Sequence, residues 1–399
     1  MQRRIRLKNS IVVLLLASFL FACQEEVEVV EEEQEIMIDQ AYMKEKTMSI
    51  TQGLIDGQVD SFNAHLKEGS FSNSLQGCSV KESSLLHVED TYVEEEVFLC
   101  DGQEKWLHVL WDEEANIQSY EMMDLPEAPI LEESNAYQEE ILPIGSVPTR
   151  YGVLTLPTNK DNPMVAILVP NHLDASSDAM KALAHGLAEK GIASVRYDMR
   201  LYQMPKRYED PYSFSLNEFY FEDFAAVTHM LEHYPVNAGA IHFIGEGLGG
   251  YFGLTSVYHH FEITGGILML NPPSGTGLQV CQNLHGASEV NISDIQEAIK
   301  HKEVIEGLIG GYPFSYWKEW NSVTPQNYIG YVNQKIAVLN TQTADTTWRQ
   351  YLNGRKASVV KGYPRVTRFS DGEQFNETVL VDIVDWMNGK DITKDVRRR

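Results

Sequence analysis

The sequence predicts an α/β protein, a mostly parallel, doubly wound sheet preceded by a small α+β domain. Three observations predict it. From Tyr151 onward short β-rich runs alternate with helical patterns, the rhythm of strands joined by crossover helices. Residues 40 to 122 instead read as helix and then antiparallel strands, with a composition of their own. Between the two, residues 123 to 138 carry Pro126, Pro129 and several glutamates with no sustained period, which makes them a linker. A chain of 399 residues holds ample core for one large and one small domain.

The first 23 residues belong to neither domain. Arg3, Arg4, Arg6 and Lys8 precede the apolar stretch Ile11 to Ala22, which ends in Leu20-Phe21-Ala22-Cys23. This resembles a bacterial lipoprotein signal, in which Cys23 becomes the lipidated first residue of the mature protein. The other reading, a transmembrane anchor, needs about 20 apolar residues, more than the stretch supplies. The resemblance implies an extracytoplasmic, membrane-anchored protein. Without those four cations the formal charge moves from −25 to −29. So acidic a chain repels nucleic acid, and none is expected as a partner. Residues 24 to 39 hold the glutamate-rich run Glu25 to Glu35, which cannot collapse and reads as a solvated tether, with a calcium-binding or partner-binding tail as the alternative.

In the small domain, Ile50 to Gly57 and Val59 to Leu66 suggest helix, and after Cys78 the period changes to two. Val97 to Cys100 and Lys105 to Trp111 flank Asp101-Gly102, a strong hairpin signal, and Ile117 to Met122 supplies a further strand. Cys78 and Cys100 lie in this domain and are paired here; such a bridge contributes roughly 3 kcal/mol. Cys281 is left as a small buried residue.

The large domain, expected over 139 to 390, opens with Tyr151 to Pro157, a turn at 159 to 163 and the apolar run Val165 to Val169. Met180, Leu183, Ala184, Leu187 and Ala188 recur at helical spacing, Gly191 stops that helix, and Ile192 to Tyr197 is β-rich. Asn217 to Tyr234 reads as helix, Ala240 to Gly245 as strand, Leu248 to His260 as helix and Gly266 to Leu270 as strand. Residues about 275 to 330 break the rhythm with aromatic-rich, irregular text, which suits a cap inserted over the sheet. Lys335 to Asn340 and Ala357 to Lys361 resume it as strands, and Phe375 to Met387 closes it as a helix.

The centre of this pattern is Ile241-His242-Phe243-Ile244-Gly245-Glu246-Gly247-Leu248-Gly249-Gly250-Tyr251. Strand, glycine turn and helix, with Gly245, Gly247 and Gly249 so spaced, resemble the nucleophile elbow G-x-S-x-G of the α/β-hydrolase superfamily. The resemblance, to bacterial extracytoplasmic esterase and serine-peptidase-like members preceded by a small domain, covers roughly Glu139 to Asn388. It implies a serine nucleophile, an acid and a histidine base at three defined places. Gly247 stands at the nucleophile place. Asp345 stands at the acid place, and Arg368, a permanently protonated guanidinium, at the base place. The last histidine of the chain is His301, so no residue after it can replace the base. Glycine also relieves the roughly 1 to 3 kcal/mol of backbone strain that the elbow imposes on other residues. The plainer reading of Gly247 is one glycine of a glycine-rich turn. Around it, Glu246, Leu248, Asn171 and His172 are the expected cleft residues, and the loop Val169 to Asp174 lacks the glycines of oxyanion loops in the family.

His229-Met230-Leu231-Glu232-His233 matches the zinc motif H-x-x-E-H, but no third ligand is identifiable and no metal or cofactor is expected. The leading expectation is a lipid-anchored protein of hydrolase fold that has lost catalysis and binds a small molecule or protein, with Arg368 either pairing with Asp345 across the old site or offering a cation to an anionic ligand such as a carboxylate. The alternative is an ester, thioester or peptide hydrolase using Glu246, Asp174 or His172. A third reading is a structural lipoprotein whose small domain does the recognising.

Overall fold

The computed structural model describes residues 41–393 apart from 68, 73–74, 89–90, 145–149, 206–210, 218–219, 221–223, 225–226, 229–230, 232 and 260–262. The leader, Cys23, the tether, and His229 and Glu232 of the H-x-x-E-H motif lie outside the described residues, as does much of the helix expected over 217 to 234. The chain divides into two compact units between Asp124 and Leu125.

In the first unit, helix α1 (41–55) and helix α2 (Val59–Asn63) accompany a four-stranded antiparallel sheet of order β1-β2-β3-β4. Its strands are β1 (Ser79–Val88), β2 (Thr91–Cys100), β3 (Gln103–Trp111) and β4 (Ile117–Asp124). β4 therefore runs two residues past the boundary expected at 122. The β2–β3 hairpin turns on Asp101 and Gly102, both at positive φ (51° and 87°), the conformation that matches strand twist in a two-residue turn. Met43, Thr47, Ile50 and Leu54 recur at helical spacing along α1 and are all buried. With Phe62, Phe98, Leu107, Val109 and Trp111 the apolar members of that stripe form the core.

Two carboxylic acids sit in this core. Period two on β2 puts Glu94 and Glu96 on the face of Tyr92 and Phe98, and both are 2% exposed. Trp111 Nε1 donates to Glu94 Oε2 (3.0 Å) and Thr51 Oγ1 to Glu96 Oε1 (3.3 Å), while Glu96 Oε2 is buried without a partner. Cys78 and Cys100 form the expected disulfide, which closes the open end of the β1–β2 pair where Ser79 faces Leu99.

The second unit is built on an eight-stranded sheet of order β14-β13-β10-β9-β7-β8-β6-β5. The strands are β5 (Tyr137–Ile144), β6 (Arg150–Pro157), β7 (Val165–Val169), β8 (Ala193–Tyr197), β9 (Ile241–Glu246), β10 (Gly266–Leu270), β13 (Lys335–Thr341) and β14 (Ser358–Tyr363). β6 is antiparallel to both its neighbours and the other pairings are parallel. β5 begins at Tyr137, inside the stretch read as linker. The continuous apolar runs of β7, β9 and β10 are what a strand buried on both faces requires, and they occupy the middle of the sheet. Helix α3 (Lys181–Glu189) and the closing helix, Glu377–Met387, pack one face, with Leu183, Leu187, Leu380 and Ile383 buried together against Leu168 and Leu339.

At the β5 side of the sheet, Arg196 of β8 and Glu139 of β5 form an ion pair of 2.9 Å with both side chains fully buried. Glu139 Oε1 also meets His185 Nε2 (2.9 Å) and accepts from Thr155 Oγ1 (3.1 Å), and Tyr137 OH meets His185 Nδ1 (3.1 Å). Burial alone would raise the Glu139 pKa, but these donors outweigh it and hold the carboxyl at about 2.

Between β10 and β13 the expected cap is made of helices α5 (Gly277–Leu284), α6 (Ile292–His301) and α7 (Phe314–Ser322), with the short strands β11 (Leu308–Ile309) and β12 (Tyr312–Pro313) between the last two. A capping box of Thr276 and Gln279 starts α5. On α7 Tyr316, Trp317 and Trp320 are fully buried; Trp320 packs on Phe252 of the helix after β9, with 5.2 Å between ring centroids.

Candidate functional site

β9 ends at Glu246 and helix α4 (Gly247–His259) begins at the next residue, so the strand turns into the helix with no intervening loop. Gly247 takes that turn at φ +52°. The flanking glycines permit close approach. A Cβ on Gly245 would lie 2.5 Å from the Gly249 backbone, and one on Gly249 would lie 2.4 Å from Pro170 O, in the loop after β7. Strand, helix and loop are therefore pressed together in backbone contact, which is the elbow geometry expected from the spacing.

Gly247 itself faces a side chain. A Cβ built there would lie 1.6 Å from Asn171 Oδ1 and 2.3 Å from Asn171 Cγ. The Asn171 carboxamide thus fills the space into which a nucleophile's side chain would project. Its oxygen accepts from Leu248 N–H at 2.9 Å. In an active elbow that N–H, on the residue after the nucleophile, is an oxyanion donor. Here the protein's own amide oxygen occupies it. Asn171 Nδ2 lies 3.2 Å from Nε2 of the exposed His172.

A cleft of about 420 Å³ opens above this arrangement. Asn171, Glu246, Gly247 and Leu248 line it from the sheet, Asn271, Pro273 and Ser274 from the end of β10, and Val280, Asn283 and Leu284 from α5. Asn271 adopts φ +46° and its Oδ1 accepts from Thr341 N (2.7 Å) and Oγ1 (3.2 Å), tying the ends of β10 and β13 together. Burial raises the Glu246 pKa, and the charge of His172 acts in the opposite direction.

The structure thus gathers four of the sequence-derived positions, Asn171, Glu246, Gly247 and Leu248, in the cleft lining and leaves Asp345, Arg368, Asp174 and His172 outside it. Asp345 does not line the cleft. Its Oδ1 accepts from Thr347 N (2.7 Å) and Trp348 N (3.0 Å), making it the N-cap of helix α8 (Thr346–Tyr351). Arg368 is exposed, forms no ion pair with Asp345, and lends its charge to Asp371. The expected Arg368–Asp345 bridge is therefore corrected: capping engages the carboxylate, and solvent keeps the guanidinium. Asp174 is likewise exposed and outside the lining. Asn271, Ser274 and Asn283 were not singled out in the sequence. The position of Asn271 just past a central parallel strand, where open α/β sheets bind their ligands, was the available signal.

The second unit has the α/β-hydrolase fold. Among solved structures, a hypothetical protein from Pseudomonas aeruginosa is 12% identical, matching 67% of this chain and 98% of its own with a TM-score of 0.47. Est1E from Butyrivibrio proteoclasticus (13% identity, 62% and 98% coverage, TM-score 0.42) is similar over somewhat less of the chain. So is S-formylglutathione hydrolase from Staphylococcus aureus (12%, 63% and 98%, 0.40). Likenesses this low carry no substrate or activity; the fold rests on the strand order and the elbow. No protein-family model and no curated protein matches the chain. Among the described residues no group of three or more His, Cys, Asp or Glu is placed to hold a metal ion, and no helix is long and apolar enough to cross a membrane.

Proposed function

We propose that this chain is a lipid-anchored, extracytoplasmic protein of α/β-hydrolase fold that is catalytically silent and binds a small ligand in its capped cleft. The observation that carries the reading is the Asn171 carboxamide over Gly247. A glycine has no atom to attack with, its side-chain space is filled, and the adjacent oxyanion donor is engaged by Asn171 Oδ1. The disulfide Cys78–Cys100 is compatible with life outside the cytoplasm, and Cys23 supplies the anchor in this reading.

The test is turnover of short-chain aryl esters and aminopeptidase substrates by the chain from residue 24 onward. Background rates are expected. Turnover that survives purification to homogeneity would show the reading to be wrong. A second reading, hydrolysis by non-standard residues, draws on the electrostatic contact between His172 and Glu246. It requires that such turnover be lost in Glu246→Gln. Anchoring is tested separately: Cys23→Ser is expected to release the protein from membranes, and retention would refute lipidation there.

A further inference from the structure

Glu246 stands apart from the other polar groups of the cleft. It is the last residue of β9 and half-buried, and among the described residues its carboxyl accepts no hydrogen bond and forms no ion pair with Lys or Arg. Every other polar residue among the described lining is neutral: Asn171, Asn271, Ser274 and Asn283. Two of the amide oxygens are already engaged, Asn171 Oδ1 by Leu248 and Asn271 Oδ1 by Thr341. Among the described residues no lysine or arginine lines the space, and Arg368, the cation expected at the old site, is exposed and outside the lining. The nearby His172 acts on Glu246 from the solvent side without hydrogen-bonding to it.

We propose that the cleft takes a small ligand bearing a protonated primary amine, seated on the Glu246 carboxylate with its apolar body against Leu248, Val280 and Leu284. This rests on the reading of the cleft as a binding site and names the chemistry that site selects. The argument is one of missing countercharge. A ligand closing over Glu246 removes the water that now solvates it, and a desolvated carboxylate without a partner is costly. An ammonium group supplies the charge-assisted partner the protein lacks. An anionic ligand would meet an uncompensated carboxylate with no cation in the lining, and an alcohol of the same shape would give only a neutral hydrogen bond. The chain's formal charge of −25 also steers cations towards it.

The experiment is calorimetric titration of the chain from residue 24 onward, at neutral pH, with n-butylamine, n-butanol and butyrate as probes of equal length. The amine is expected to bind at least about tenfold more tightly than the alcohol, the weight of one hydrogen bond to a charged group, and butyrate least of all. Glu246→Gln, which keeps the shape and removes the charge, is expected to abolish the preference for amine. Equal binding of amine and alcohol, preference for butyrate, no binding of any probe, or an amine preference that persists in Glu246→Gln would each overturn the proposal. The probe comparison on the natural protein stands even if the variant fails to fold. Ester turnover measured on the same samples keeps the two readings apart. Turnover sinks the silent cleft whatever the amine does, and silent protein with no amine preference sinks only the ligand assignment.

Discussion

The Asn171 side chain occupies the space that a side chain on Gly247 would need: Asn171 Oδ1 lies 1.6 Å from where a Cβ on residue 247 would be. Each residue explains the other. Glycine at 247 admits the carboxamide, and the carboxamide satisfies the Leu248 N–H that the elbow exposes at the start of α4. A serine placed at 247 therefore collides with the Asn171 carboxamide.

Gly247→Ser is expected to destabilise the second unit by about 1 to 3 kcal/mol from left-handed backbone strain, with a similar overpacking cost added. Adding Asn171→Ala removes the collision. In denaturant unfolding the double variant should lose less than the sum of the singles, with a coupling of about 0.5 to 3 kcal/mol. Strict additivity would mean that Asn171 simply swings away.

Gly247→Ser with Arg368→His should remain without esterase activity. Position 368 is exposed and outside the cleft lining, and Asp345 is engaged at the start of α8. A gain of turnover measured with aryl esters would show that residue 368 reaches the elbow.

Asp345→Ala should behave as a lost helix cap. A loss of about 0.5 to 2 kcal/mol in stability is expected, with ligand binding in the cleft unchanged. A variant of full stability and altered binding would instead place Asp345 in the site.

Stability of the first unit should fall as pH rises. Burial raises both folded pKa values above the ordinary carboxylate value of 4.5, and repulsion by Glu96 raises that of Glu94 further, so the folded state holds more protons than the unfolded one. Their stabilising contribution is full below pH 4.5 and is lost as pH climbs through the raised folded values, about 7 for Glu96 and about 8 for Glu94. Hydrogen exchange in β2 measured across this range should accelerate, and Glu94→Gln with Glu96→Gln should flatten the dependence. The near-ultraviolet signal of Trp111, which donates to Glu94, should titrate with it.

Glu139 carries the opposite sign. Its folded pKa of about 2 lies below the ordinary 4.5, so its contribution is present above pH 4.5 and is lost as pH falls towards 2. Glu139→Ala leaves the buried Arg196 guanidinium without this partner and is expected to cost about 3 to 5 kcal/mol. Glu139→Gln with Arg196→Met should recover most of that in the same unfolding assay.

Local chemistry made much of this architecture legible. Asp101-Gly102 announced a hairpin because few other pairs accept two positive φ angles in succession. The apolar runs at 165 to 169, 241 to 244 and 266 to 270 announced central strands because only strands covered on both faces dispense with polar alternation. β5 was hidden, since its glutamates mimic a linker and the charge of Glu139 is met inside by Arg196 and His185, which lie 57 and 46 residues away. Glu94 and Glu96 were hidden for a related reason: a carboxyl reads as surface until a helix from elsewhere covers it.

Spacing and residue type determined that the second unit is a mostly parallel α/β sheet with a glycine elbow at its centre, and that no histidine follows residue 301 to serve as a base. Those features follow from short-range sterics and from which atoms a side chain possesses, both of which are written in the chain itself. What only the tertiary structure decided is that Asn171, 77 positions before Leu248, fills the nucleophile's place, while Asp345 turns to its own helix and Arg368 to solvent. Which side chain enters a given few cubic ångströms depends on the packing of distant loops, and no local pattern encodes that choice.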